Sequence, residues 1–376
     1  MHVGNVPERY DVAIDLTGLS ARTEHEPGDL TVVADAGVRV LDLQAKLAQA
    51  GQRLPFDVPD ADRAMIGGSV ASNAAGVMRS SSGGIRDWVI GMKVVLADGT
   101  VTKSGGRVVK NVQGYDLHRL HTGAFGTLGV IAEVAFKLTP MPARTRTVAA
   151  AFTSLEAAAA AATALFNAPF TPEAMSLFQG EGTARAIAAK VPRGRGEGAR
   201  ALLLTRVAGG EAAVARQVDE TVAAVRAAAA TGVETFDWPD ADALWRDAGS
   251  APLAVHVTAR ATLKPALAYR MLADLEIASS RWPGLALQAR IDCGFGTVIA
   301  DWWARGDEEA SEAIQASFQA AQRNGGAAVI ERCPAHLKRG LDVFGDAGPA
   351  LTIMRRMKEQ YDPGRNLNPG RFAGRT

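Results

Sequence analysis

The segment that most constrains this chain is Gly67-Gly68-Ser69-Val70-Ala71-Ser72-Asn73-Ala74-Ala75-Gly76, entered through Ile66. Almost every side chain in it is small, so its backbone can come closer to a large, flat or charged ligand than ordinary residues allow. A core strand would be weakened by this composition, and a surface loop has no need of it. The stretch therefore reads as a small-residue loop with a ligand against it, or, more plainly, as glycines building tight turns.

The 376 residues exceed one ordinary core and predict two or more domains. Forty-one Lys and Arg against 40 Asp and Glu leave a formal charge of +1, which removes the global electrostatic case for a nucleic-acid or anionic-membrane partner. Two cysteines, Cys293 and Cys333, cannot ligate an iron–sulfur cluster alone and form no disulfide framework. The start carries no apolar signal-like core, and the longest uncharged stretch, 157–172, is too short to span a bilayer. These features predict a cytoplasmic protein.

From Asp11 to Pro142 the chain is rich in Gly and β-branched residues. Residues 30–37 read as a strand and 40–50 as a helix stopped by Gly51. Residues 94–102 read as a hairpin around Asp98-Gly99 in a type I′ turn, and 128–138 as a strand stopped by Thr139-Pro140-Met141-Pro142. Beyond that stop, Ala-rich helices at 155–166, 211–230 and 308–324 alternate with strands at 148–153, 202–207, 253–259 and 285–291. A loop at 192–198 carries Arg193 and Arg195 and reads as a solvated turn. The pattern predicts an α+β second domain with helices on one sheet face. The expected boundaries are 1–142, 143–330 and a C-terminal segment, 331–376, that packs back on the first domain.

No Walker-type phosphate loop, no G-x-G-x-x-G joining strand to helix, no nucleophile elbow and no H-E-x-x-H is present. The six histidines form no obvious metal-ligand cluster, and His118 and His121, one helical turn apart, read as a structural or solvated pair rather than a ligand pair. What is present, in order, is Ile66 to Gly76, Arg86-Asp87-Trp88-Val89-Ile90-Gly91, the Asp-Gly hairpin, and Arg107-Val108-Val109-Lys110-Asn111-Val112-Gln113-Gly114-Tyr115-Asp116-Leu117. Gly123-Ala124-Phe125-Gly126-Thr127-Leu128-Gly129-Val130-Ile131 and the closing Tyr361-Asp362-Pro363 … Asn368-Pro369-Gly370-Arg371-Phe372 complete the series.

That ordered series resembles the PCMH-type FAD-binding domain of the vanillyl-alcohol-oxidase superfamily, and within it the family of FAD-binding E subunits of bacterial glycolate oxidase. The resemblance implies FAD as cofactor and an α+β fold in which the C-terminal segment returns to the FAD domain. It implies that Gly67, Gly68, Ser69, Ser72, Asn73 and Gly76 wrap the pyrophosphate and flavin edge through backbone N–H groups. Val130 and Ile131 would offer backbone groups to a ring of the cofactor, and Asn368 would lie at the polar edge of the isoalloxazine. Lys110 and Tyr115 suit stabilisation of negative charge on a reduced flavin, or are a solvated lysine and a packed tyrosine. Asp87 reads as a structural residue, in a turn or an ion pair with Arg86, at least as readily as a flavin contact.

Two departures from the family pattern carry expectations. The superfamily's first βαβ segment, with its own glycine-rich loop, is expected to be missing, through start-site placement or truncation. The H-x-G-D-G-N-x-H metal motif of the catalytic hydroxy-acid dehydrogenases is replaced by Arg290-Ile291-Asp292-Cys293-Gly294-Phe295-Gly296-Thr297, so no metal is expected. The implied partners are a second flavin subunit and an iron–sulfur subunit. The implied reaction is oxidation of glycolate or a similar 2-hydroxy acid, with a location peripheral to the inner membrane through those partners. If the chain handles the hydroxy acid itself, His256 as base and Arg260 as cation, with Thr258 between them, share one face of an expected strand. A stand-alone FAD-linked oxidoreductase and an assembly subunit that has lost FAD are the alternatives. No His or Cys in a matched position argues for a covalent flavin link.

Overall fold

The computed structural model describes residues 3–74, 76–106, 115–180, 198–237, 240–249 (side chains to 245) and 255–376. Lys110, Ala75, most of the 107–117 motif and the loop carrying Arg193 and Arg195 lie outside the described residues. The chain forms two compact units, one of Gly4–Met141 with Asp346–Thr376, the other of Pro142–Gly345 with Met1–Val3. Both are α+β.

The first unit carries strands β1 (Thr23–Glu26), β2 (Thr31–Asp35), β3 (Gln52–Arg53), β4 (Val89–Val95), β5 (Val101–Gly105), β6 (Val130–Lys137) and β7 (Thr139–Pro140). Five of them form a sheet in the order β1-β2-β6-β4-β5, and β3 pairs with β7. Every pairing is antiparallel. Val32, Ala34, Val94, Val134 and Phe136 meet Val40, Leu43 and Leu47 of the helix Val40–Ala48 and Ile66 and Val70 of the helix Ile66–Ser72 in one core. One sheet face is thereby sealed, as period-2 alternation requires.

The β4–β5 hairpin forms, but its turn is not type I′. Gly99 has φ +84, whereas Asp98 is absent from the left-handed region. Gly99 N–H donates to Leu96 O at 3.0 Å and Leu96 N–H to Thr100 O at 2.9 Å. Asp98 Oδ1 accepts from Thr100 N–H at 2.9 Å, which favours a longer turn with a single left-handed glycine.

The second unit is one antiparallel sheet of eight strands: β8 (Arg144–Phe152), β9 (Ala174–Gln179), β10 (Ala201–Gly209), β11 (Gly232–Phe236), β12 (Val257–Thr262), β13 (Ala286–Asp292), β14 (Thr297–Trp303) and β15 (Ala327–Arg332). Their spatial order is β11-β8-β10-β9-β13-β14-β12-β15. The helices Leu155–Phe166, Glu211–Ala227, Pro265–Ser280 and Asp307–Arg323 press Ala-rich stripes against one face. Alanine there lets helix and sheet backbones come close around the fully buried Trp302, whose Nε1–H donates to Ser317 Oγ at 3.2 Å. On the opposite face Trp245 stands edge-on to Phe178 at 6.2 Å and donates to Thr147 Oγ1. Of the expected strand at 253–259, residues 253 and 254 lie outside the described residues and β12 starts at Val257, while β9, β11, β14 and β15 carry no clean alternation to announce them. Among the described residues no helix is long and apolar enough to cross a membrane.

Candidate functional site

The glycine-rich segment is a helix rather than a loop over Ile66–Ser72. Glycine disfavours helix by about 1 kcal/mol per residue, so tertiary bonds must supply the difference. They do so at both ends. Ile66 N–H donates to Val38 O at 2.9 Å and Gly67 N–H to Ala36 O at 2.8 Å, tying the first turn to the end of β2. The last carbonyls are taken by the turn at 123–129, with Gly123 N–H on Val70 O at 3.0 Å and Phe125 N–H on Ala71 O at 2.8 Å. Asn73 closes the helix at φ +48, the left-handed position that suits Asn or Gly.

The glycines divide by what surrounds them. A Cβ on Gly67 would lie 2.7 Å from Ala36 Cβ, and one on Gly76 2.2 Å from Asp57 Oδ2. Both are demanded by protein packing. Among the described residues, a Cβ on Gly68 meets nothing within 4 Å. Ser72 Oγ donates back to Gly68 O at 2.8 Å, while Ser69 is buried. Asn73 Oδ1 is buried and accepts no hydrogen bond from the described residues. An acceptor in that state costs free energy until a donor arrives.

Around this helix the first unit assembles two further segments. In the turn 123–129, Gly123 (φ +83), Phe125 (φ +55) and Gly126 (φ +68) are all left-handed. Asn368, itself at φ +45, donates from Nδ2 to Phe125 O at 2.8 Å. Phe125 thus links the helix to the C-terminal tail, and its ring lies 5.6 Å from that of Phe372. Val130 and Ile131 follow directly and pair with Val95 and Val94 of β4. The β2 ladder ends at Asp35↔Glu133, with Ala36 N–H reaching Ala132 O, so both residues lie past the end of β2.

Gly67, Gly68, Ser69, Ser72, Asn73, Val130, Ile131 and Asn368 therefore share one region of the first unit, whereas Gly76 is drawn off toward Asp57. Tyr115 is 90 % exposed and makes no part of this region's packing. Asp87 caps the short helix Ile85–Trp88, its Oδ2 accepting Gly84 N–H at 2.8 Å. His118 and His121 are buried, and burial lowers both below the ordinary imidazole range; His118 also shares a hydrogen bond with Ser104 Oγ, and His121 stands edge-on to Tyr361.

Sequence reasoning missed Lys358. It is the one buried residue of the helix Ala350–Tyr361. Its Nζ donates to Thr127 O at 2.8 Å, Leu367 O at 2.7 Å and Asp362 Oδ2 at 2.7 Å. Burial pushes its ammonium below the usual lysine value, against the pull of Asp362. Burial alone would raise Asp362, but the ammonium and the Asn366 and Leu367 N–H groups hold its carboxyl below the usual range. An i,i+4 Lys/Asp pair is the only trace of this in the sequence, and such pairs are ordinarily solvated.

In the second unit His256, Thr258 and Arg260 do share one face of the β12 strand and its approach, opposite the buried Val257, Ala259 and Ala261. Each is already engaged. His256 Nδ1 accepts Ala304 N–H at 3.2 Å, which leaves the proton of the neutral ring on Nε2. Thr258 Oγ1 donates to Asp301 Oδ1 at 2.7 Å, and Arg260 Nε lies 2.5 Å from Glu331 Oε1. Burial raises Asp301 above the usual carboxylate range in spite of the Thr258 hydroxyl. Both cysteines are buried, and burial pushes the Cys293 thiol up to about 12. Among the described residues no group of three or more His, Cys, Asp or Glu is placed to hold a metal ion.

FAD fits what the first unit offers. The described residues leave Gly68 open to a bulky ligand and Asn73 Oδ1 without a donor, which suits a cofactor bearing N–H and O–H donors. Comparison with known proteins agrees. A family model described as an FAD binding domain matches residues 2–105, and one described as the C-terminal domain of FAD linked oxidases matches 141–270. Glycolate oxidase subunit GlcD of Bacillus subtilis is 27 % identical over 98 % of this chain and 81 % of its own length. Glycolate oxidase subunit GlcE of Escherichia coli is 40 % identical over 31 % of this chain and 34 % of its own. An alkyldihydroxyacetonephosphate synthase structure superposes with a TM-score of 0.73 at 17 % identity, covering 96 % of this chain and 68 % of that one, and so shares the fold. Two matched domains in their proper order, on a shared two-domain architecture, place the chain in the PCMH-type family of FAD-linked oxidases, as an FAD-dependent oxidoreductase.

Proposed function

We propose that this chain is the FAD-binding subunit of a multi-subunit 2-hydroxy acid dehydrogenase acting on glycolate, with electrons leaving through a second flavin subunit and an iron–sulfur subunit. FAD, when bound, supplies the acceptor for the hydride that leaves C2 as the hydroxy acid becomes the 2-oxo acid. The observation that carries the reading is Gly68, the glycine of the helix Ile66–Ser72 that the described residues leave open while Gly67 is consumed by packing. Gly68, Ser69, Ser72 and Asn73 would line the cofactor's polar edge, Val130 and Ile131 would present backbone groups to it, and Asn368 would close over it. Gly76 would act indirectly, by holding the end of this segment against Asp57. Similarity to two glycolate oxidase subunits supports both the substrate class and the assembly.

Oxidation at the partner subunit is favoured by the state of His256 and Arg260. A base must hold a free lone pair, and a carboxylate-binding cation must be unneutralised. His256 spends Nδ1 on Ala304 N–H, and Arg260 faces Glu331. Lys110 remains a candidate for stabilising a reduced flavin, whereas the exposed Tyr115 does not. The complex would work in the cytoplasm, held at the inner membrane by its partners.

The purified chain is expected to be yellow and to keep its colour when glycolate is added under anaerobic conditions. Bleaching is expected only after the partner subunits are supplied. Bleaching of the isolated chain would establish the stand-alone oxidoreductase instead, and a colourless chain that still binds the partners would establish an assembly subunit.

A further inference from the structure

A helix whose one buried residue is a lysine inverts the usual amphipathic pattern. Lys358 is 5 % exposed and Asp362 fully buried. Burying an ion pair carries a desolvation penalty that apolar residues of the same size avoid, so stability alone does not account for it. The pair's connections show what else it does. An ammonium has three protons, and those of Lys358 meet three acceptors from three places: the 123–129 turn through Thr127 O, the tail through Leu367 O, and Asp362 at the helix end. Asp362 in turn accepts Asn366 N–H at 2.9 Å and Leu367 N–H at 2.8 Å. One ion pair thereby ties the two turns together.

Those two turns meet at a strained junction. Asn368 is left-handed at φ +45 and donates to the carbonyl of Phe125, itself left-handed at φ +55. Non-glycine residues in that region persist only where their surroundings over-determine them. Lys358 supplies that constraint, because it grips Leu367, next to Asn368, and Thr127, two residues from Phe125.

We infer that Lys358 and Asp362 are positioning residues for the cofactor site. They hold Asn368 and the 123–129 turn in the arrangement that receives FAD, and they act through Asn368 rather than by touching the cofactor. This rests on the proposed reading that Asn368 meets the flavin.

The test is a double-mutant cycle read by FAD titration of the full-length chain. Lys358→Met is expected to weaken FAD binding at least about tenfold, the scale of one lost charge-assisted hydrogen bond. Asn368→Ala is expected to weaken it by a similar factor. In the Asn368→Ala background, Lys358→Met should then cost less than about threefold more, because contacting groups in one network are not additive. An equal loss in both backgrounds overturns the positioning role while leaving Asn368 as a flavin contact. Unchanged FAD binding by Asn368→Ala removes that contact, and this inference with it. Should Lys358→Met not fold, Asp362→Asn carries the same cycle, since it keeps the side chain's volume and one oxygen for the tail amides.

Discussion

The contrast between Gly67 and Gly68 separates a structural glycine from a ligand-facing one by a single methyl group. On Gly67 the added Cβ would lie 2.7 Å from Ala36 Cβ and 3.2 Å from Ala36 O. Carbon atoms pack at about 3.5–4.0 Å, so the helix Ile66–Ser72 must move off β2 by nearly an ångström. Overpacking of that kind costs about 1–3 kcal/mol. Helix propensity returns at most about 1 kcal/mol, so Gly67→Ala should lose up to about 2 kcal/mol. On Gly68 the same methyl meets nothing within 4 Å among the described residues, and the propensity gain stands unopposed by them. Gly68→Ala should therefore raise the melting temperature of FAD-free protein by about 2–4 °C, following the usual scaling for units of this size. Its FAD affinity should fall at least about tenfold, because the methyl occupies the approach the cofactor needs. Thermal unfolding of FAD-free protein and an FAD titration on each variant give the two readings. A Gly68→Ala variant that is stabilised yet binds FAD like the parent would refute the reasoning, since nothing would then lie against residue 68.

Gly76→Ala should cost about 3 kcal/mol in denaturant unfolding, from overpacking and disturbed carboxylate bonds; its Cβ would fall 2.2 Å from the Asp57 oxygen that also accepts Val77 N–H. His118 and His121 have values lowered by burial, so between those values and the unfolded value of about 6.5 the unfolded chain binds more protons. Stability of the first unit should thus fall as pH drops below about 6.5, and a flat unfolding midpoint between pH 7.5 and 5.5 would contradict this. In the second unit Asp301 is raised by burial, so its ionisation costs stability above the folded value. Asp301→Asn can still accept the Thr258 hydroxyl and should leave the neutral-pH melting temperature equal or higher; a loss of several degrees would show that the carboxylate charge is needed.

Strands were legible where a β-branched run meets turn residues. Residues 30–37 and 128–138 carry β-branched runs bounded by Gly and Pro, and they become β2 and β6. Alanine-rich helices such as Leu155–Phe166 announced themselves in the same way through propensity and a Ser154 cap. The segment that looked most like a loop was misjudged because its helix is not locally encoded. Val38 O, Ala36 O, Gly123 N–H and Phe125 N–H supply the bonds that the glycines' own propensity withholds. A window of ten residues holds no trace of partners that lie about 30 and 50 positions away.

The packing roles within the small-residue segment were not legible in the sequence. Gly67, Gly68 and Gly76 are indistinguishable as letters, yet Ala36 and Asp57 account for two of them and leave the third open. Asn368 stood out within Asn368-Pro369-Gly370, but what places it is Lys358, ten residues upstream, through a carbonyl 231 residues away. Read along the helix, Lys358 with Asp362 is an i,i+4 pair worth a few tenths of a kcal/mol on a wet surface. Buried, with all three protons spent on separate segments, the same pair sets the geometry of two left-handed residues. The difference arises from burial alone, and burial is the one property of a lysine that its neighbours in sequence do not disclose.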